Sequence, residues 1–104
     1  MKFNATNEDG EQLSALVLRG TKKVSRRKDP YPVGMLVPFV DENMKVRGQL
    51  CIKACTVDDV WHSVDDWPAE ARLEGFKTWA TCKGTLLRIY GRMPLYRVEF
   101  KLVR

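Results

Sequence analysis

The chain has 104 residues, enough for one small domain with a buried core, and we predict a single domain over residues 1–104. Its 44% hydrophobic and 30% charged residues are typical of a soluble globular protein, and no apolar run approaches the roughly 18 residues that span a bilayer. The opening "MKFNATNEDGEQ" turns polar at once, which argues against a secretory signal. We therefore expect a cytoplasmic protein with no membrane partner.

The positive charge of the chain is concentrated in one segment. The net charge is +5, yet residues 19–28 carry six of the 18 lysines and arginines and no acid. The remaining residues hold 12 basic against 13 acidic groups. One local cluster predicts that an anion or a nucleotide arrives at one place, whereas a uniformly basic shell would predict unspecific adhesion to polyanions.

The cysteines and the single histidine do not form a metal or disulfide pattern. Cys51, Cys55 and Cys82 make no CxxC pair, and an odd number of cysteines is a poor disulfide framework. With His62 as the sole histidine, the spacings match no known zinc finger. We expect reduced, buried thiols, and we expect neither a metal nor an organic cofactor.

The first half of the chain predicts a strand, a helix and further strands. "KFNAT" has the alternation of a short first strand, and "DGEQLSALVLRG" places Leu13, Leu16 and Val17 on one helical face. Gly20 stands where a helix ends, because glycine adopts the left-handed conformation at lowest cost. After the basic segment, "MLVPFV" predicts a strand whose Pro38 favours an edge or a bulge.

The second half predicts a hairpin, two helices and a last strand. A turn at "DEN" leads into the long strand "KVRGQLCIKACTV", in which Gly48 indicates a bulge. In "WPAEARLEGFKTWATCKGTLLRIYG", Pro68 suits a first helical turn and Gly75 separates two helices. "LYRVEFKLV" alternates as a half-buried strand. The order β-α-β-β-β-α-β predicts an α+β fold, a small curled antiparallel sheet or barrel with flanking helices.

A short motif in the basic segment resembles a known family. "GTKKVSRR" fits the pattern G-x-K-x-x-x-x-R with Gly20, Lys22 and Arg27, which is similar to the signature of the ASCH (ASC-1 homology) superfamily. The segments "YPVGMLV", "EARLEGF" and "YRVEFKLV" extend the resemblance over nearly the whole chain. The resemblance implies a PUA-like small β-barrel of mostly antiparallel strands flanked by helices.

Within that superfamily the chain resembles the small bacterial amidohydrolases that remove the acyl group from N4-acetylcytidine. The resemblance implies a catalytic lysine, a hydroxyl residue three positions later and a glutamate in the later helical region. These fall on Lys22, Ser25 (where the family has threonine) and Glu74, with Glu70 as a competitor for Glu74. We expect Arg27 to orient the substrate.

The chemistry of amide hydrolysis is consistent with these residue types. A serine hydroxyl needs a neighbouring base, and a lysine can serve if burial or nearby positive charge deprotonates it. Side chains three apart on a regular strand point to opposite faces. A Ser25–Lys22 pair therefore requires Lys22 to lie in the irregular turn after Gly20, before the strand becomes regular.

The alternative function is an RNA-binding or RNA-cleaving ASCH module without amidase activity. Exposed aromatic rings beside basic groups stack on bases, and the chain offers Tyr31, Trp61, His62, Trp67 and Trp79. Trp79 stands at helical spacing with Phe76 and is expected in the core. A single basic cluster suits one nucleoside better than a run of phosphates. We therefore rank the nucleoside amidohydrolase first, with Tyr31 and Trp61 stacking on the base, and we expect a monomer or weak dimer.

Overall fold

Four strands and three helices are found in residues 1–58, 60 and 66–103, the part of the chain that the computed structural model describes. In chain order they are α1 (Leu13–Leu18), β1 (Val24–Arg27), β2 (Leu36–Val40), β3 (Val46–Asp58), α2 (Pro68–Glu74), α3 (Trp79–Tyr90) and β4 (Leu95–Val103).

The strands form one antiparallel sheet in the order β1-β4-β3-β2. The long strands β3 and β4 lie at its centre, and β2 lies at an edge, as Pro38 predicted. The bulge predicted at Gly48 is confirmed, because Phe39 pairs with Gly48 while the next residue, Val40, pairs with Val46. Gly48 has a φ of 140°, which an L side chain rarely adopts.

The described residues form an open sheet, and the predicted barrel closure is not observed. The two edge strands have four and five residues, and both central strands lie between them, so their free edges cannot pair. The predicted first strand "KFNAT" is also wrong as a strand, since Lys2 makes one isolated parallel bridge to Val40. Phe3 N–H donates to the Val40 carbonyl at 2.9 Å, which fastens this segment beside β2 without extending the sheet.

Helix α1 ends as predicted and then folds back. Leu13, Leu16 and Val17 are buried, and Gly20 has a φ of 78°. The backbone N–H groups of Thr21 and Lys22 both donate to the Leu16 carbonyl, at 2.9 and 3.1 Å, so the chain turns sharply after the helix. This turn decides the direction in which Lys22 points.

The second helical region is divided into two helices at Gly75, as predicted. Helix α2 has Pro68 in its first turn and ends at Gly75, whose φ is 95°. A Cβ on Gly75 would lie 2.9 Å from Leu16 Cδ1, so α1 and the end of α2 are closely packed here and a larger residue would displace the Leu16 side chain. Gly75 thereby fixes Glu74 beside the turn that follows α1.

The core surrounds Phe3 and Trp79. The Phe3 ring meets Phe39 and Phe100 edge-on, with centroids 5.5 and 5.7 Å apart. Trp79 is fully buried, as its helical spacing predicted. Among the described helices, none has the length and apolar character required to cross a membrane.

Candidate active site

Lys22 is a buried lysine with three hydrogen bonds. Its side chain is 1% exposed. The Nζ group donates to the Val24 carbonyl at 2.7 Å, to the Glu74 carbonyl at 2.7 Å and to Glu74 Oε1 at 2.9 Å. An ammonium has three N–H donors, so all of them are engaged.

The position of Lys22 follows from the turn after α1. Strand β1 begins at Val24, two residues later, so Lys22 is not bound by the strand alternation. The Lys22 N–H donates back to the Leu16 carbonyl of α1 at 3.1 Å, which is a turn contact and not a strand ladder bond. The irregular turn that the Lys22–Ser25 pair requires is therefore present.

Burial lowers the pKa of Lys22 from its ordinary value. Glu74 partly offsets this effect, because its carboxylate favours the ammonium, and the positive charge of Arg27 lowers the pKa further. Lys22 is thus easier to deprotonate than a surface lysine, which is the property that a general base needs.

Arg26 forms a buried ion-pair network with three carboxylates. Its guanidinium lies 2.5 Å from Glu70 Oε2 and 2.9 Å from Glu74 Oε2, and it donates from Nε to Asp58 at 3.0 Å. Its Cζ is 5.4 Å from the centroid of the Trp79 ring. Burial acts to lower the pKa of Arg26, but the carboxylates of Glu74, Asp58 and Glu70 outweigh it and raise that pKa, so the guanidinium stays charged.

The two competing glutamates occupy different places in this network. Glu74 bridges Lys22 and Arg26, whereas Glu70 lies between Arg26 and Arg97, accepting from Arg97 at 2.6 and 3.0 Å. Glu74 is the carboxylate in contact with the lysine. Glu70 holds α2 to β4 instead.

Ser25 is buried and accepts a hydrogen bond from Arg27. Arg27 Nε donates to Ser25 Oγ at 3.1 Å, and the Arg27 guanidinium lies over the Phe3 ring, 4.8 Å from its centroid. Accepting a bond from a cation stabilises the alkoxide form of a hydroxyl relative to the neutral form. In the described residues no further hydrogen bond is made by the terminal nitrogens of Arg27, which leaves them for a substrate oxygen.

One small cavity is lined by four of the predicted residues. Lys22, Ser25, Arg27 and Glu74 border a space of about 70 Å³ between β1, the segment at Phe3 and α3. Ligand sites for drug-sized molecules commonly have about 300 Å³ or more, so this cavity has room for a small group and not for a whole nucleoside. A larger groove of about 510 Å³ also borders Lys22, but the described residues that line it do not include Ser25. We assign the candidate chemistry to the smaller cavity, because only there does a hydroxyl accompany the lysine.

The two predicted stacking residues are not seen in this cavity. Tyr31 is half-buried against the core, and its N–H points to Cys55 Sγ at 3.5 Å; it is not among the described residues that line the space. Trp61 lies outside the described residues, as does His62. Their proposed roles stay predictions.

Cys82 is a second potential nucleophile close to Lys22 and Glu74. Burial raises the pKa of its thiol far above the ordinary range, and the negative charge of Glu74 raises it further. The sulfur is therefore protonated at neutral pH and unreactive. Ser25 remains the better candidate.

Comparison with solved structures places this site in a known fold. The sequence matches no model of a known protein family and no curated protein. The structure of an Enterococcus faecalis V583 protein of family DUF984 superposes with a TM-score of 0.67 at 15% identity, covering 98% of this chain and 74% of that one. An ASCH domain from Lactobacillus crispatus JV V101 superposes with a TM-score of 0.65 at 19% identity, covering 86% of this chain and 69% of that one. The fold is ASCH-like.

The resemblance based on "GTKKVSRR" is therefore confirmed at the level of the fold. The ASCH-like neighbours fit a PUA-like arrangement, although the described sheet of this chain is open. These identities are too low to carry residue roles from those proteins to this one.

Sequence reasoning missed Arg26, Asp58 and Arg97. Arg26 resembled a solvated charge among five other cations, yet its side chain is 0% exposed. The alternation of a strand gave one signal of its different role, because it puts the Arg26 side chain on the face of β1 opposite to Ser25 and Arg27. Only the packing of α2 onto that face turns it into a buried position.

Proposed function

We propose that this ASCH-like protein is an amidohydrolase that removes small acyl groups from N4-acylated cytidines. The observation that carries the proposal is the meeting of Lys22, Ser25, Arg27 and Glu74 around one cavity, although Lys22 and Glu74 are 52 positions apart in the chain. Acyl transfer requires a nucleophile, a base and a group that stabilises the oxyanion. The hydroxyl, the buried amine of lowered pKa and the guanidinium with free N–H donors are suited to these three roles. The cytidine substrate rests on the resemblance of the motif.

The proposed reaction begins with a proton transfer inside the Lys22–Glu74 pair. All three Lys22 N–H bonds are engaged, so the amine must release one proton before it can accept another. Glu74 Oε1, at 2.9 Å, is the one ionisable acceptor of the three. Moving the proton to Glu74 leaves a neutral amine at Lys22, while Arg26 keeps Glu70 and Asp58 as its charged partners.

The neutral amine would then activate Ser25. Lys22 accepts the hydroxyl proton while Ser25 Oγ attacks the amide carbonyl, and Arg27 stabilises the oxyanion of the tetrahedral intermediate. The C–N bond breaks as Lys22 returns the proton to the exocyclic nitrogen, so cytidine leaves and an acyl-serine ester remains. Water then hydrolyses that ester to a carboxylic acid and restores Ser25.

The test is turnover of N4-acetylcytidine followed by ultraviolet absorbance. Lys22→Ala and Ser25→Ala should each lower kcat/KM by at least about a hundredfold, whereas Ser25→Thr should retain activity because it keeps the hydroxyl. Lys28→Ala is the matched control, since Lys28 is an exposed cation of the same basic segment. Circular dichroism of each variant separates loss of chemistry from loss of the fold.

Two results would overturn the proposal. One is an inactive wild-type protein, and the other is turnover that survives both alanine substitutions. Tight, salt-sensitive binding of RNA by an inactive wild-type protein would favour the RNA-binding alternative.

The pairing of surface charges argues against that alternative. Several described surface cations already have acidic partners: Arg19 pairs with Glu11 at 2.7 Å and Lys77 with Asp9 at 2.9 Å. Such pairing reduces the positive charge available to a phosphate chain.

A further inference from the structure

A basic groove also borders Lys22, and the described residues that line it do not include Ser25, Arg27 or Glu74. It has a volume of about 510 Å³, and Lys23, Lys53 and Lys101 line it together with Glu99 and the apolar residues Val17, Phe100 and Leu102. The volume is within the usual range for small-molecule sites.

The groove exists because the paired strands β1 and β4 end at different places. Strand β1 starts at Val24, opposite Glu99, whereas β4 continues to Val103. The Lys23 carbonyl, just before β1 begins, accepts from Phe100 N–H at 3.0 Å. The space beyond it, between Gly20 and the end of β4, is the groove.

Its three lysines come from separate parts of the chain. Lys23 precedes β1, Lys101 is on β4, and Lys53 is the extra residue of a second bulge in β3, where Ile52 pairs with Phe100 and Ala54 pairs with Glu99. A bulge redirects side chains and is frequent beside binding sites. Here it contributes a cation to the groove next to that of Lys101.

These lysines are uncompensated. Within the described ranges none of the three side chains makes an ion pair or a hydrogen bond, in contrast to Lys22 with Glu74 and Lys77 with Asp9. The one acid of the groove, Glu99, lies 3.8 Å from Arg97 and is partly neutralised by it. Three like charges around one space repel each other, and an anion bound between them relieves that repulsion.

We propose that this groove binds a phosphomonoester of a small, partly apolar molecule, such as a nucleoside 5′-phosphate. Three ammonium groups complement a phosphate dianion, and Leu102 with the edges of Val17 and Phe100 provides an apolar wall for the rest of the ligand. A single small ligand fits better than an RNA strand, because some of the other described surface cations are paired with acids, as Arg47 is with Asp41 at 3.2 Å. The inference does not depend on the hydrolase proposal, since the groove and the cavity at Ser25 are separate.

The experiment is a titration of ¹⁵N-labelled protein at low salt, followed by amide chemical shifts. Cytidine 5′-monophosphate should shift the amides of Gly20, Lys53 and Lys101, with an affinity that falls as salt is added. Cytidine, the same molecule without the phosphate, should bind the groove at least about tenfold more weakly, as measured by the shifts of the same amides. Inorganic phosphate should bind less tightly than the mononucleotide, because it lacks the apolar part.

A pair of double variants provides the matched control. Lys53→Ala/Lys101→Ala should weaken mononucleotide binding about tenfold through the loss of two charges. Lys28→Ala/Lys45→Ala removes the same charge from exposed positions outside the groove and should leave the affinity within about twofold. Both variants should keep the far-ultraviolet spectrum of the parent, because all four lysines are exposed.

Several results would overturn the inference. No shift at the groove amides, equal affinity for cytidine and its monophosphate, or equal losses in the two double variants would exclude the phosphate site. Equal affinity for inorganic phosphate and the mononucleotide would refute the proposed contact between the apolar wall and the rest of the ligand. A much tighter, steeply salt-dependent complex with a 12-nucleotide RNA would replace the small ligand with a phosphate chain.

Discussion

Glu74→Gln tests the network that connects the candidate site to the fold. The substitution keeps the size of the side chain and removes the negative charge between two buried cations. Lys22 Nζ and Arg26 Nη1 each lie 2.9 Å from a Glu74 oxygen, and the three side chains are at most 3% exposed. Two buried positive charges would then face a neutral amide.

The expected loss of stability follows from what each cation keeps. Removing one partner of a buried ion pair costs about 3–5 kcal/mol. Arg26 retains Glu70 and Asp58, and Lys22 can release its proton, so the loss should fall near the lower end of that range. With a urea m-value of about 1–1.5 kcal/mol/M for a small domain, the midpoint of unfolding should fall by about 2–3 M.

The loss should also depend on pH. Burial lowers the pKa of Lys22, and without Glu74 nothing in the pair raises it again. Between that lowered pKa and the ordinary value of 10.5, the unfolded variant binds more protons than the folded one. Its free energy of unfolding must therefore increase with pH in this window. The parent, which keeps Glu74, should show a smaller increase.

The assay is urea unfolding followed by circular dichroism at pH 7 and pH 9.5. Glu11→Gln is the control, because Glu11 pairs with Arg19 at the exposed surface, and its midpoint should stay close to that of the parent. A double-mutant cycle with Lys22→Met measures the coupling directly. The reasoning is refuted if Glu74→Gln behaves like Glu11→Gln, or if Lys22→Met costs the same with and without Glu74.

Three further predictions concern the pKa of Lys22, the cavity and the Gly75 turn. Arg27→Gln should raise the pKa of Lys22, because the positive charge of Arg27 lowers that pKa. The rising limb of the pH–rate profile should then move to higher pH, and a limb that stays in place would contradict Lys22 as the base. N4-benzoylcytidine should be cleaved at least about tenfold more slowly than N4-acetylcytidine, since the cavity holds about 70 Å³; equal kcat/KM values would exclude this cavity as the acyl site. Gly75→Ala should lower the melting temperature more than Gly10→Ala. Both glycines have positive φ, but a Cβ at Gly75 would lie 2.9 Å from Leu16, whereas a Cβ at Gly10 would meet nothing within 4 Å. Equal losses would argue against that contact.

The elements that the sequence predicted well are those decided by local chemistry. Gly20 and Gly75 end helices because of their positive φ, Gly48 marks a bulge, and Pro38 lies in an edge strand. Each of these depends on one residue and its immediate neighbours. The barrel was wrong because closure depends on the lengths of the edge strands, which pairing partners far along the chain determine.

The candidate site was predictable only in part. The motif indicated Lys22 and Ser25, and the turn after α1 lets both line one cavity. The choice between Glu70 and Glu74 required the structure, because it depends on how the end of α2 meets that turn. Arg26 was missed for the same reason, since no local pattern shows that a helix will cover its face of β1.

The short strand β1 has a consequence for the synthesis of the protein. It pairs with β4, the last of the described strands, and its Arg26 has partners on β3 and α2. A nascent chain on the ribosome therefore carries β1 without its pairing partner until β4 has emerged. Lys22 is held against Glu74 of α2, so a chain that ends before α2 would have a common surface lysine at this position.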